Sequence, residues 1–403
     1  MDLSEIYPAG GRPQSLYCEN CEASMDMRFS HFSESVSGIN ISIKGLPTLH
    51  CEDCDKEYLP DDSRFAIIYL HEQATKAGSD RVTVVRNKKE VDYKFSNVPF
   101  LIDADDYFYL PGLYRKQNVG FLSPLFFNKA VLIKYDNSPD YRVTFASPAY
   151  GEIEAATYAI PFGINRFGRI VMWLGDVAKL PEAEQFYLRS ENVESDHSLG
   201  SDFYDGQIEC KFTELTKEKI VLEARSKFIG AFDKKFGVKL AHLDTELIET
   251  IAALTPPVID TEKERRYVFD SLNRIFLETL DNGVLNQVVK SLGATSAGSG
   301  SLKRLQALLE TFDGSGKVSN MLMPFYVLYD LRIAYSHLTS GSRKSQLITS
   351  SASRLGLAAD FDLPTAYGVI LDLVAQSLSY FSVLIEPPST DAEKSETDNC
   401  PDN

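Results

Sequence analysis

Apolar and polar residues alternate at Ile39-Asn-Ile-Ser-Ile43, the period-two pattern of a half-exposed strand. Leu46-Pro-Thr-Leu-His50 continues from it, and Pro60-Asp61-Asp62 closes the segment with turn chemistry. Short apolar runs then predict strands at Phe65–Leu70, Arg81–Val85, Phe100–Ile102, Ala130–Tyr135, Tyr141–Ala146 and Arg169–Leu174. Asn137-Ser-Pro-Asp140 reads as a hairpin turn between two of them. Pro181-Glu-Ala-Glu-Gln185 reads as the start of a helix, with proline suited to the first turn. Regular strand–helix alternation is absent, which argues against a doubly wound parallel sheet.

Beyond Glu191–Gly206 the period changes to helical. Leu215–Leu240 carries Phe228, Phe232 and Phe236 on one stripe, and Pro256-Pro257 ends the run. Further helices are expected at Glu262–Leu280, Val284–Leu292, Ser301–Thr311, Ser319–His337 and Thr365–Glu386. Gly293–Gly300 and Thr339–Ser353 are rich in glycine and serine and read as links. The expected fold class is α+β multidomain: an N-terminal zinc ribbon (1–60), a β-rich central domain (61–200), a helical connector (201–260) and a C-terminal all-α helical bundle (261–386). Residues 387–403 are acidic and polar and are expected to be disordered.

Composition narrows the picture modestly. A chain of 403 residues exceeds what one core usually serves, and 44% hydrophobic with 24% charged residues is ordinary for a globular protein. The net charge of −16 argues against coating nucleic acid by bulk electrostatics. The charge is uneven, however: residues 1–261 carry 28 basic and 40 acidic side chains, while residues 262–386 carry 12 of each. A local phosphate site is therefore least opposed in the last third. Met1–Tyr17 lacks the pattern of a signal peptide, and no apolar run approaches the 18 residues of a membrane helix. With paired thiols, the expected location is a reducing cytoplasm, away from membranes.

Cys18/Cys21 and Cys51/Cys54 form two Cys-x-x-Cys pairs, and they are four of the chain's 6 cysteines. Two such knuckles complete a tetrahedral Zn²⁺ shell with Zn–S distances of about 2.3 Å and no open position, so a structural ion is expected. Two disulfides or idle thiols are the other readings, and His31 and His50 are not needed as ligands. The long spacer and Gly45-Leu-Pro-Thr-Leu-His-Cys51-Glu-Asp-Cys54 resemble the zinc ribbon of MqsA/YgiT-type antitoxins. The chain departs from that pattern at Glu22 and Asp55, where glycine is common. No helix-turn-helix module follows, so a DNA-binding role is not carried over.

Asp330-Leu-Arg332-Ile-Ala-Tyr-Ser-His337 ends an apolar helix in the C-terminal third, and it resembles the R-x4-6-H motif of HEPN ribonucleases. The resemblance implies a metal-independent endoribonuclease with Arg332 and His337 catalytic, acting as a homodimer with a composite cleft. It also implies a toxin or antiviral-defence role, regulated by the N-terminal domains or by a partner protein. The chemistry suits these residue types. Histidine exchanges protons near neutral pH, and arginine grips phosphate oxygens in a two-pronged fork. Arg343, Lys344 and Arg354 are candidate phosphate contacts on the following loop, and Tyr329 and Tyr335 are candidates for base stacking. Ile333 stands where the family often has a polar residue. The second reading is a non-catalytic binding or scaffold protein, with Arg332 bridging Asp330 or another acid and His337 at the helix C-terminus. Asp103, Asp105 and Asp106 form an acidic cluster able to bind a divalent metal, with a solvated turn as the favoured reading, and Trp173 reads as core.

Overall fold

The computed structural model describes residues 1–8, 14–211 and 215–386. It forms two compact units, Met1–Glu214 and Leu215 onward.

The first unit begins with a long hairpin, β1 (Asp26–Val36) against β2 (Ile39–His50), paired from Val36↔Ile39 to Asp26↔His50. Its two-residue turn is Ser37-Gly38, with φ of 44° and 87°, the mirror-image turn whose twist suits a hairpin. Gly45 (φ +77°) sits at a bulge, where the register slips between Ser30 and His31. β3 (Glu57–Tyr58) adds antiparallel to the end of β2, and β4 (Arg81–Val85) adds parallel to its start. The helix Asp61–Lys76 makes the crossover between them and covers the sheet with Ile67 and Ile68.

That helix replaces the strand expected at Phe65–Leu70. Ser63, Ile67 and Ala74 are buried at near-helical spacing, whereas Phe65 and Tyr69 face solvent. An apolar run this short fits either period; Asp61 and Asp62 in the first turn were the deciding signal.

The second sheet has six strands: β5 (Pro124–Phe127), β6 (Tyr141–Ser147), β7 (Tyr150–Ala155), β8 (Ala159–Ile164), β9 (Ile170–Trp173) and β10 (Asn192–Val193). The order is β10-β5-β9-β8-β7-β6, all antiparallel. Expected strands at Tyr141–Ala146 and Arg169–Leu174 appear as β6 and β9. Ala130–Tyr135 does not: it is a 3₁₀ turn running into the short helix Ile133–Asp136. Asn137–Asp140 therefore joins a helix to β6 rather than two strands. Phe100–Ile102 is irregular, with its Leu101 N–H donating to Asn192 Oδ1 at 2.6 Å. Trp173 is core as expected, stacked on Phe203 at 4.9 Å.

The second unit is helical. Lys217–Phe236 opens with Thr216 accepting from the Lys219 N–H and ends at Gly237 in the left-handed region. Its stripe of Val221, Phe228 and Phe232 belongs to the same core as the helix Leu363–Ile385, so this segment is a wall of the bundle rather than a connector to it. The other long helices are Asp244–Ala252, Glu262–Asn273, Asn282–Ser291, Ser301–Glu310, Met323–Ser336 and Gly341–Leu355. A π-helical turn, Arg274–Glu278, extends Glu262–Asn273.

Gly341–Leu355 corrects the link expected at Thr339–Ser353. Ser340 caps it by accepting from the Arg343 N–H, and Leu347, Ser351 and Leu355 line one buried stripe. Small residues let it lie close against Met323–Ser336; they do not prevent the helix. Leu363–Ile385 is long and apolar enough to cross a membrane, contrary to the expectation that no apolar run is; Asp372 interrupts the run. Half of its most apolar window is buried inside the bundle, and Asp372 pairs with Lys217. The acidic tail from Pro387 lies outside the described residues.

Candidate metal centre and the Arg332–His337 site

The hairpin of β1 and β2 explains the spacing of the cysteines: Cys18/Cys21 precede β1, Cys51/Cys54 follow β2, and pairing returns the chain to its start. The four Sγ atoms lie within 4.8 Å of one another, with Cys18–Cys54 at 3.5 Å and Cys21–Cys51 at 3.4 Å. A tetrahedral shell with metal–sulfur distances of about 2.3 Å has edges of about 3.8 Å, so the cluster fits a metal ion. A disulfide needs about 2.05 Å between sulfurs and does not fit.

The two knuckles fold alike. The N–H groups of Glu22 and Asp55 donate to the carbonyls of Cys18 and Cys51, both at 2.9 Å, and both residues are left-handed, at φ 62° and 56°. That is the conformation glycine adopts without cost, which is why glycine is common there. Glu22→Gly is expected to raise the stability of the first unit by about 0.5–1 kcal/mol, relief of strain less the added unfolded-state freedom. A urea titration checks this, and an unchanged or lower midpoint refutes it.

Asn20 N–H reaches Cys18 Sγ at 3.4 Å, and the Tyr58 hydroxyl, at 3.3 Å, pulls that thiol down to about 6. Cys18 and Cys51 are buried in one core with Met27, Tyr107, Phe126 and Trp173. The cluster is thus built into the first unit. His31 bonds Ser42 and His50 lies 3.4 Å from Asp55, so neither histidine joins it.

In the second unit, Arg332 sits on the helix Met323–Ser336, partly buried against Glu262–Asn273. Its Nε donates to Asp270 Oδ1 at 3.2 Å, and its Nη2 lies 2.9 Å from Glu278 Oε1. The π-helical turn delivers Glu278 to this position. Asp330 instead pairs with Arg354 from the neighbouring helix. His337 is exposed at the helix C-terminus with extended backbone, and its ring has no hydrogen-bond partner among the described residues.

The flanking candidates are mostly engaged. Lys344 pairs with Glu262 and holds its carboxyl below the usual range. Arg343 lies in the first turn of Gly341–Leu355, with Nη1 on Gln346 at 3.0 Å. Tyr335 stacks on Phe269 and accepts from Arg265 Nη1 at 2.9 Å, whereas Tyr329 is half exposed.

The acidic cluster is not a solvated turn. Asp103 caps the helix Ala104–Tyr109, and Asp105 and Asp106 are fully buried. Arg86 grips Asp105 with both Nη atoms, at 2.9 and 2.8 Å, and its Nε donates to the Gly45 carbonyl freed by the bulge. Lys88 pairs with Asp103 at 2.8 Å, and Asp106 Oδ1 lies 2.6 Å from His197 Nδ1. Burial pushes the Asp106 carboxyl up. Burial also pulls His197 down, but its bond to Asp106 outweighs this and raises it. No family model, curated protein or solved structure matches the chain.

Proposed function

We propose that the chain is a metal-independent endoribonuclease of HEPN type, whose helical unit cleaves RNA as a homodimer. The observation that carries this reading is the pair at the end of Met323–Ser336: a part-exposed Arg332 fixed by two carboxylates and an exposed His337. In a composite cleft the Arg332 of one copy and the His337 of another would face the same phosphate. His337 takes the proton of the ribose 2′-hydroxyl as its oxygen attacks phosphorus. The 5′-oxygen leaves with a proton drawn from solvent, a 2′,3′-cyclic phosphate remains, and His337 returns its proton to solvent. Arg332 stabilises the charge gathering on the phosphoryl oxygens.

The first unit would hold Zn²⁺ at Cys18, Cys21, Cys51 and Cys54, a ribbon-type structural ion that fixes the knuckles and takes no part in cleavage. In this reading the first unit regulates the bundle, alone or with a partner protein, in a cytoplasmic toxin or antiviral-defence role. One observation favours a second reading: Asp270 and Glu278 occupy Arg332. That suits a non-catalytic scaffold whose bundle dimerises or binds a partner.

Purified full-length protein should cleave RNA, with Arg332→Ala and His337→Ala each slower by about 10²–10⁴-fold. Equal cleavage by all three proteins refutes the site. A folded, dimeric wild type without RNA turnover supports the scaffold.

A further inference from the structure

The charged cluster of the first unit floors a cleft of about 590 Å³, within the range of small-molecule sites. Its lining includes the aromatic Phe29, the apolar Leu101, the ammonium of Lys88, and Glu194, Ser195 and His197 from one loop. Three features make it more than a surface dent. Phe29 and Leu101 are 43% and 42% exposed, which is apolar surface left open beside buried charge. His197 is part of the lining, held at Nδ1 by the fully buried Asp106, which leaves Nε2 unbonded among the described residues. Asp105 is matched by both Nη atoms of Arg86, and Asp106 bonds His197 through Oδ1 while its buried Oδ2 has no hydrogen-bond partner among the described residues.

Lys88 is the exposed cation. Its side chain is 64% exposed, and its ammonium, which has three N–H donors, spends one on Asp103, whose own side chain is 12% exposed. Phosphate oxygens between the remaining Lys88 donors and a protonated His197 gain charge-assisted hydrogen bonds. Phe29 carries the Arg86 guanidinium 5.3 Å from its ring centre and packs T-shaped on the His197 ring, also 5.3 Å between centres, and its exposed part is the surface left for a heterocycle.

We propose that this cleft binds a mononucleotide, the base against Phe29 and Leu101 and the phosphate between Lys88 and His197. The site is independent of Arg332 and His337. Glu194 and Ser195 line the same cleft, the Ser195 Oγ accepting from the His197 N–H at 2.9 Å.

The test is calorimetric titration of the full chain with AMP, GMP, CMP and UMP, with adenosine and inorganic phosphate as the two halves. At least one mononucleotide should bind more tightly than either half. Lys88→Ala and Phe29→Leu, both at exposed positions, should each weaken it by about tenfold. His197→Asn should weaken it as well, and Arg332→Ala should bind as wild type does. Absence of binding by every mononucleotide at millimolar concentration overturns the proposal. So does binding unchanged in Lys88→Ala and Phe29→Leu, or lost only in Arg332→Ala, which would place the nucleotide in the helical unit.

Discussion

Cys18→Ser is expected to unfold the first unit cooperatively rather than loosen its N-terminus. Cys18 is 1% and Cys51 0% exposed, and both pack in the core that holds Tyr107, Phe126 and Trp173. Metal binding at a four-thiolate site contributes about 10–16 kcal/mol of apparent free energy, comparable to the whole stability of a domain, about 5–15 kcal/mol. Serine removes one ligand from that shell and leaves its hydroxyl in an apolar place. Wild-type protein should carry one Zn²⁺ per chain by elemental analysis, and chelation should reproduce the variant's loss. Cys21→Ser is the informative companion, because Cys21 is exposed and contributes a ligand without core packing. If both variants lose the metal, the difference between their urea midpoints isolates the packing of Cys18. A wild type without metal, or a Cys18→Ser melt that coincides with wild type, rejects the structural role.

What the sequence disclosed depended on how local the cause was. The Cys-x-x-Cys pairs and the alternation at Ile39–Ile43 are short-range patterns, and the hairpin that unites them follows from both. The left-handed Glu22 and Asp55 were visible only as missing glycines, yet the backbone takes the glycine conformation there regardless. Phe65–Leu70 failed because a short apolar run does not choose between periods, and the cap that decides it lies upstream at Asp61-Asp62. Gly341–Leu355 failed because composition was given more weight than the spacing of Leu347, Ser351 and Leu355. The stripe of Phe228 and Phe232 announced a core but not its cover, which is Leu363–Ile385 at the far end of the chain. The acidic cluster was the least legible. Its partners lie 19 residues away for Asp105 and 91 for Asp106, and acids without visible partners default to solvent.

That misreading identifies the other change of large expected effect, Arg86→Ala. The guanidinium is 14% exposed and the Asp105 carboxylate fully buried, joined by two parallel bonds. Removing the arginine leaves a charge that water does not reach and that, among the described residues, only the Lys89 N–H, at 3.3 Å, still contacts. The expected cost is about 3–5 kcal/mol, most of it the penalty of the abandoned carboxylate rather than the worth of the pair. Replacing both residues separates the two quantities. Arg86→Leu with Asp105→Leu should recover most of the loss, since an apolar pair needs no desolvation. The exposed pair Arg28–Glu52, with side chains 48% and 40% exposed, provides the scale: Arg28→Ala should cost about 0–1 kcal/mol. Urea denaturation of the three variants decides the matter. Should Arg86→Ala cost no more than Arg28→Ala, the buried pair is not what joins the bulge at Gly45 to the helix Ala104–Tyr109. A large loss restored by the double variant would mean that the arginine is required chiefly because the aspartate is there.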